Sequence, residues 1–214
     1  MNEIRHIIWD WNGTLLDDAE LCVQCINEIL KSRNLKMVNI EFYRDHFSFP
    51  VSNYYNKLGL PVSGDEYQEV AKSFIENYKN KSRNLNLQPN CIEVLSHFQK
   101  EGIEQSVLSA SHHQDLTKYI GQFELNSFMS LISGVDNFHA KGKVGLSKEH
   151  FSKINCTKDQ ILMVGDTMLD DEIVRELSIN GALVTNGHNS EYALRNSHSV
   201  RVANLKVLMN LLHC

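Results

Sequence analysis

Asp10 ends a short apolar run, Ile7-Ile8-Trp9, and is followed at once by Trp11-Asn12-Gly13-Thr14-Leu15. Far downstream a second apolar run, Ile161-Leu162-Met163-Val164, ends the same way, in Gly165-Asp166-Thr167-Met168-Leu169-Asp170-Asp171. An apolar strand that stops on an acid leaves a carboxylate at the carboxyl edge of a sheet. In open α/β sheets that edge is where ligands bind. Two such acid clusters on one sheet suit a hard cation, since Mg²⁺ takes oxygen ligands and keeps several waters. A carboxylate beside Mg²⁺ can attack the phosphorus of a phosphate ester and form an aspartyl-phosphate, which splits one hard hydrolysis into two easier steps. The metal and nearby cations then neutralise the phosphoryl oxygens as the transition state forms.

Such a site needs a nucleophilic acid, a second acid for the metal, hydroxyl or backbone donors, and a lysine. Asp10 fits the nucleophile. Gly13 lets the chain turn closely past it, and Thr14 offers a hydroxyl and an N–H. Alone, Asp-x-Asn-Gly-Thr reads equally well as a turn; the downstream acids tip the balance. The run Gln105-Ser106-Val107-Leu108-Ser109-Ala110-Ser111 ends a strand in hydroxyls just before a helix over 112–121. A helix N-terminus favours anions, so Ser109 and Ala110 are placed to hold phosphate, with Ser111 as the helix cap and His112 and His113 on the loop surface, substrate contact being their lesser alternative. Lys141-Gly142-Lys143 precedes another helix, and Lys143, next to its start, is preferred as the phosphate-binding lysine. Asp166 should bind the metal directly. Asp170 or Asp171 should support it, Asp170 by orienting a metal-bound water or by pairing with Lys143; the other suits a first helical turn.

These residues need a scaffold. Strands are expected at 4–9, 104–109, 130–134, 161–165, 181–185 and 199–203, and helices at 91–100, 112–121, 143–154, 170–178 and 204–212. Asn90 is the expected N-cap of the helix over 91–100 and Gly102 its stop. Strand–helix alternation implies a parallel sheet covered on both faces. Residues 18 to about 83 break the pattern with helices only, at 18–33, 40–46, 51–58 and 65–80. An all-helical insertion starting so soon after Asp10 is placed to act as a lid that excludes water and selects substrate.

Composition sets outer bounds. A chain of 214 residues makes one large domain, or a core with a small second domain. A net charge of −5 with mixed signs argues against a nucleic-acid surface. No apolar run reaches the ~20 residues needed to span a bilayer, and the N-terminus shows no signal-peptide pattern, so a cytoplasmic protein is expected. Five scattered cysteines do not form a disulfide framework. Cys22 and Cys25 lie on one helical stripe with Leu21, Ile26, Ile29 and Leu30, which reads as buried packing.

The order of Asp10-Trp11-Asn12-Gly13-Thr14, Ser109, Lys143, and Gly165-Asp166-Thr167 with Asp170 resembles the four motifs of the haloacid dehalogenase superfamily of hydrolases. The resemblance covers nearly the whole chain. It implies an α/β fold, a Rossmann-like parallel sheet with helices on both faces, formed by residues 1–16 and 87–214. It also implies a C1-type helical cap over 17–86, Mg²⁺ and a phosphoaspartate intermediate. Catalysis would rest on Asp10, Asn12 and Lys143, metal binding on Asp10, Asn12, Asp166 and Asp170, and substrate binding on Thr14, Ser109, Ala110, Lys143 and Arg44. Arg44, near Phe47, Phe49, Pro50 and Tyr54, could grip a substrate carboxylate by its planar fork, or be a solvated helix residue, the reading its position favours somewhat. Phosphoglycolate-phosphatase-like members show the most similar pattern. The expected partner is a small phosphorylated metabolite, with no nucleic acid or membrane, and a monomer or homodimer as the assembly.

One departure stands out. Phosphatases of the family usually carry a second aspartate two residues after the nucleophile, as general acid and base. Here the position holds Asn12, whose amide cannot protonate a leaving alkoxide, although its backbone carbonyl can still bind metal. General acid–base help is worth roughly 10²–10⁴-fold. A slower phosphatase, or one acting on a good leaving group such as an acyl phosphate, remains compatible. Asp17, Asp18 or a cap residue could substitute. The rival readings are a phosphate- or metal-binding regulatory protein without turnover, and a dehalogenase-type hydrolase.

Overall fold

A computed structural model of the chain describes residues 3–135 and 142–212. Lys141 and Cys214 lie outside these. Six strands, β1 (His6–Trp9), β4 (Glu104–His112), β5 (Leu131–Val135), β6 (Ile161–Gly165), β7 (Asn180–Val184) and β8 (Val200–Val202), form a wholly parallel sheet in the order β5-β4-β1-β6-β7-β8. The chain builds outward from β1 in one direction and then in the other, so β1 sits at the topological switch point, where a crevice opens at the carboxyl ends of the strands.

All four residues of β1 are buried, because both faces of the sheet are covered. Successive side chains alternate between those faces. Ile7 and Trp9 pack with Val94, Leu95 and Phe98 of α5 (Cys91–Lys100) and with Leu205 and Leu208 of α9 (Leu205–Leu212). Ile8 packs on the other side with Ile173, Val174 and Leu177 of α8 (Met168–Leu177) and with Val144 and Leu146 of α7 (Gly142–Ser152). The remaining core helix, α6 (His113–Gln122), contributes Leu116 and Ile120 to the first cluster.

Between core elements the chain forms a separate helical unit: α1 (Ala19–Ser32), α2 (Ile40–His46), α3 (Val51–Lys57) and α4 (Gly64–Lys81). Its own apolar cluster includes Cys22, Ile26, Leu30, Tyr43, Tyr54, Tyr55 and Val70. Cys22 and Cys25 are both free and buried, as the apolar stripe implied. A short antiparallel ribbon, β2 (Leu16–Asp17) with β3 (Asn86–Leu87), pairs the two chain segments that lead into and out of this unit. Neither two-residue strand has a sequence signature.

Two local details depart from expectation. Asn90 takes the N-cap position of α5, but in the left-handed region (φ 64°), and its side chain donates to Glu93 at 3.0 Å in place of a cap bond to the helix backbone. Ser111 does not cap α6, because β4 continues through a register shift to His112.

Candidate active site

The register of β1 against β6 assembles the acids. Asp10 N–H donates to the Val164 carbonyl at 2.8 Å, which sets Asp10 beside the end of β6, where Asp166 follows Gly165. Asp10, Asp166 and Asp170 each offer a carboxylate oxygen within 4.8 Å of the others. The turn after Asp10 is tight against them. Gly13 has φ +77°, and a Cβ there would lie 2.2 Å from Asp166 Oδ2. Only glycine provides both the left-handed backbone and the space. Gly165 meets a similar limit, since a Cβ would lie 2.2 Å from Asp170 Cγ.

Lys143, in the first turn of α7, donates through Nζ to Asp10 Oδ1 and to Asp170 Oδ1. It is buried with them. Burial opposes its charge, but the two carboxylates outweigh burial and hold its pKa above the ordinary lysine value. Asp170 is pulled the other way from its burial, below the usual carboxylate range, by Lys143 and by hydrogen bonds from Thr167. Its Oδ2 accepts from Thr167 N and Oγ1, closing a capping box at the start of α8. Asp170 is thus committed to Lys143 and to the helix start.

Asp10 and Asp166 carry the unresolved charge. Burial pushes Asp10 well above the carboxylate range, with Asp170 and Asp166 adding to the shift against the pull of Lys143. Burial likewise raises Asp166 to about 6 against His188, with Asp170 adding to it. Three buried carboxylates around one ammonium leave an excess of negative charge. The donors are hard oxygens, the set that a small divalent cation such as Mg²⁺ favours.

A second polar network joins this cluster to the helical unit. The Asn12 amide donates from Nδ2 to Asp18 Oδ2 at 2.7 Å and to Tyr78 OH at 3.1 Å, and Oδ1 accepts from Ser111 Oγ at 2.6 Å. Tyr78 OH also donates to Asp18 Oδ2 at 2.7 Å. Asp18 Oδ1 lies 3.2 Å from His188 Nε2, and His188 Nδ1 is 2.9 Å from Tyr43 OH. Burial opposes charge on His188, but Asp18, Asp166 and Asp10 raise its pKa to about 9. Asp18 is held below the carboxylate range despite its burial, by His188, Tyr78 and Asn12. Asp18, Cys22 and His188 also meet within 4.8 Å, but Asp18 is already bound to Gly13 N–H, Asn12, Tyr78 and His188.

This geometry predicts the effect of Asn12→Asp. The new carboxylate would face Asp18 where an amide N–H now donates, and two carboxylates in contact cannot both ionise. The variant should melt below wild type at pH 8, with the deficit shrinking as the pH falls toward 5, and any hydrolysis of p-nitrophenyl phosphate should not rise. A faster enzyme of unchanged stability would contradict this reading of the network.

The other sequence-selected residues fall as follows. Ser109 is buried at the chamber floor beside Asp10, and its Oγ accepts from Ser111 N–H; Ala110 lines the same chamber. Thr14 does not present its hydroxyl to a substrate: Oγ1 donates to Asp166 Oδ1 at 2.9 Å. Arg44 does not line the chamber either. Its guanidinium donates to the carbonyls of Gly187 at 2.9 Å and Asn186 at 3.0 Å, tying α2 to the loop after β7. Asp171 faces away, accepting from the backbone of His198 and Ser199. His188 is the residue that sequence reasoning missed. Its backbone N–H donates to Asp166 Oδ2 at 2.6 Å. The only hint was its place, a glycine-containing loop just beyond a strand end.

A wholly parallel sheet covered by helices on both faces, with buried acids gathered at its switch point, defines a Rossmann-like α/β protein. The chain belongs to the haloacid dehalogenase-like hydrolase family, whose pattern matches residues 7–184. No curated protein matches it. Among solved structures it is similar to a phosphatase-named protein from Clostridium acetobutylicum (TM-score 0.83, 17% identity, covering 99% of each chain). It is also similar to one from Clostridium difficile (0.79, 20%, 99% of this chain and 100% of that one). A third, from Lactobacillus delbrueckii subsp. bulgaricus, is named as a phosphoglycolate phosphatase (0.81, 15%, 98% of each chain). At such identities the likeness speaks for the fold. No helix among the described residues is long and apolar enough to cross a membrane.

Proposed function

We propose that this hydrolase is a Mg²⁺-dependent phosphatase that cleaves small phosphorylated metabolites in the cytoplasm, as a monomer or homodimer. The observation that carries the reading is the convergence of Asp10, Asp166 and Asp170 on one point, with Lys143 bridging two of them. Asp10 and Asp166, with the Asn12 backbone carbonyl, would hold the ion. When bound, Mg²⁺ supplies positive charge to the phosphoryl oxygens.

The chain's own residues supply the rest. An Asp10 carboxylate oxygen attacks phosphorus, the ester P–O bond breaks, and the leaving oxygen departs with the electron pair. Lys143 keeps Asp10 oriented and places a cation beside the phosphoryl group. Ser109 holds a phosphoryl oxygen at the strand end. Thr14 and the His188 N–H fix the Asp166 carboxylate. Water then attacks phosphorus, releasing phosphate and restoring Asp10.

The test is hydrolysis of p-nitrophenyl phosphate with Mg²⁺ or with EDTA, together with a thermal melt in each. Mg²⁺ should be required for turnover and should raise the melting temperature, because it relieves repulsion among the buried carboxylates. Phosphate or Mg²⁺ binding without turnover across a panel of phosphate esters would instead assign the pocket a binding role. Metal-free release of halide from 2-haloacids would assign it to dehalogenation.

A further inference from the structure

Above the carboxylates the site opens into a chamber of about 380 Å³. That volume is within the range of small-molecule pockets. Its floor is polar, with Asp10, Ser109 and Lys143. Its walls are rings: Phe47, Phe49, Tyr54, Phe74, Tyr78 and Tyr119. Most of them come from the helical unit, and Tyr119 comes from α6. Two lysines and His188 among the chamber's cationic side chains are already matched to carboxylates, and His112 lines it as well. Lys143 is held by Asp10 and Asp170, His188 by Asp18, and Lys79 by Asp115 at 3.0 Å. Arg44, the side chain best suited to a substrate carboxylate, is spent on the Asn186 and Gly187 carbonyls. A carboxylated substrate would therefore lose water against aromatic walls and gain no arginine fork in return.

The position two residues past Asp10 gives an independent reason. Asn12 points its amide at Asp18, Tyr78 and Ser111. An amide has no proton to hand to a departing oxygen. With no acid at that position, a leaving group stable as an anion is favoured, and a phenolate departs far more readily than an alkoxide.

We infer that the substrates are aryl phosphate monoesters with an uncharged aromatic leaving group, in place of small carboxylated esters such as phosphoglycolate. The inference rests on the phosphatase reading above. In the reaction, the bond from Asp10 to phosphorus forms as the P–O(aryl) bond breaks. The electron pair leaves on the phenolate oxygen, which takes its proton from solvent. Water then cleaves the aspartyl-phosphate to phosphate and the Asp10 carboxylate.

The experiment compares kcat/KM for 1-naphthyl phosphate, 2-phosphoglycolate and acetyl phosphate in Mg²⁺. Acetyl phosphate has a good leaving group but no ring, so it reports the phosphatase chemistry alone. Filling an apolar pocket commonly discriminates by 10–200-fold, so 1-naphthyl phosphate should exceed 2-phosphoglycolate by about 100-fold. Phe74→Ala should raise KM for 1-naphthyl phosphate by about tenfold. Turnover of acetyl phosphate with equal or better use of 2-phosphoglycolate than of 1-naphthyl phosphate overturns the inference and leaves the phosphatase reading standing. Inactivity toward all three removes both.

Discussion

On the proposed function, Asp10→Asn should fold as the wild type does and lose phosphatase turnover by on the order of 10⁴-fold or more. The amide nearly matches the carboxylate in size, and its oxygen can still accept from Lys143. The site is buried and burial already disfavours the Asp10 charge. A neutral replacement therefore costs the fold little and relieves part of the repulsion with Asp166 and Asp170. What disappears is the anionic oxygen that attacks phosphorus. The check is kcat on p-nitrophenyl phosphate at saturating Mg²⁺, beside a melting curve. A variant that stays within tenfold of wild type would place the nucleophile elsewhere.

Lys143→Met should cost both stability and turnover. The ammonium is buried and bridges two buried carboxylates. Removing one partner of a buried pair leaves uncompensated charge and typically costs about 3–5 kcal/mol. The pH dependence carries the signature. Asp170 is held below its ordinary value of 3.8 in the fold, so its contribution is present above that pH and fades as pH falls. Without the lysine that contribution is lost, so the deficit of the variant should grow as pH rises above about 4 and shrink in acid. Urea midpoints at pH 3 and pH 7 measure it. A loss under about 1 kcal/mol, equal at both pH values, would mean that the bridge adds no stability.

The sheet was legible because its central strands are short, fully buried runs. Ile7-Ile8-Trp9 and Ile161-Leu162-Met163-Val164 end on acids, and that punctuation pointed to Asp10 and Asp166 before any coordinates. Lys143 followed from its position at a helix start. What stayed hidden depends on long-range partners. Asp18 meets His188 and Tyr78 across 170 and 60 residues of chain, and no local pattern announces either contact. Arg44 misled for the same reason, since a guanidinium in sequence does not say whether it will meet a ligand or two backbone carbonyls. A hydroxyl before a helix suits a cap, but the irregular end of β4 carries Ser111 instead to Asn12.

The ribbon of Leu16–Asp17 with Asn86–Leu87 brings both crossings between the helices and the sheet side by side. Such a narrow neck does little to fix the tilt of what it carries. That tilt is set by contacts beside Asp10, among them Tyr43 on His188, Tyr78 on Asn12, Arg44 on Gly187 and Phe47 on Asn189. Any event that disturbs His188 therefore also loosens the helices above the sheet. The posture of the helices and the electrostatic condition of the carboxylates form one equilibrium, and a molecule that alters either must shift the other.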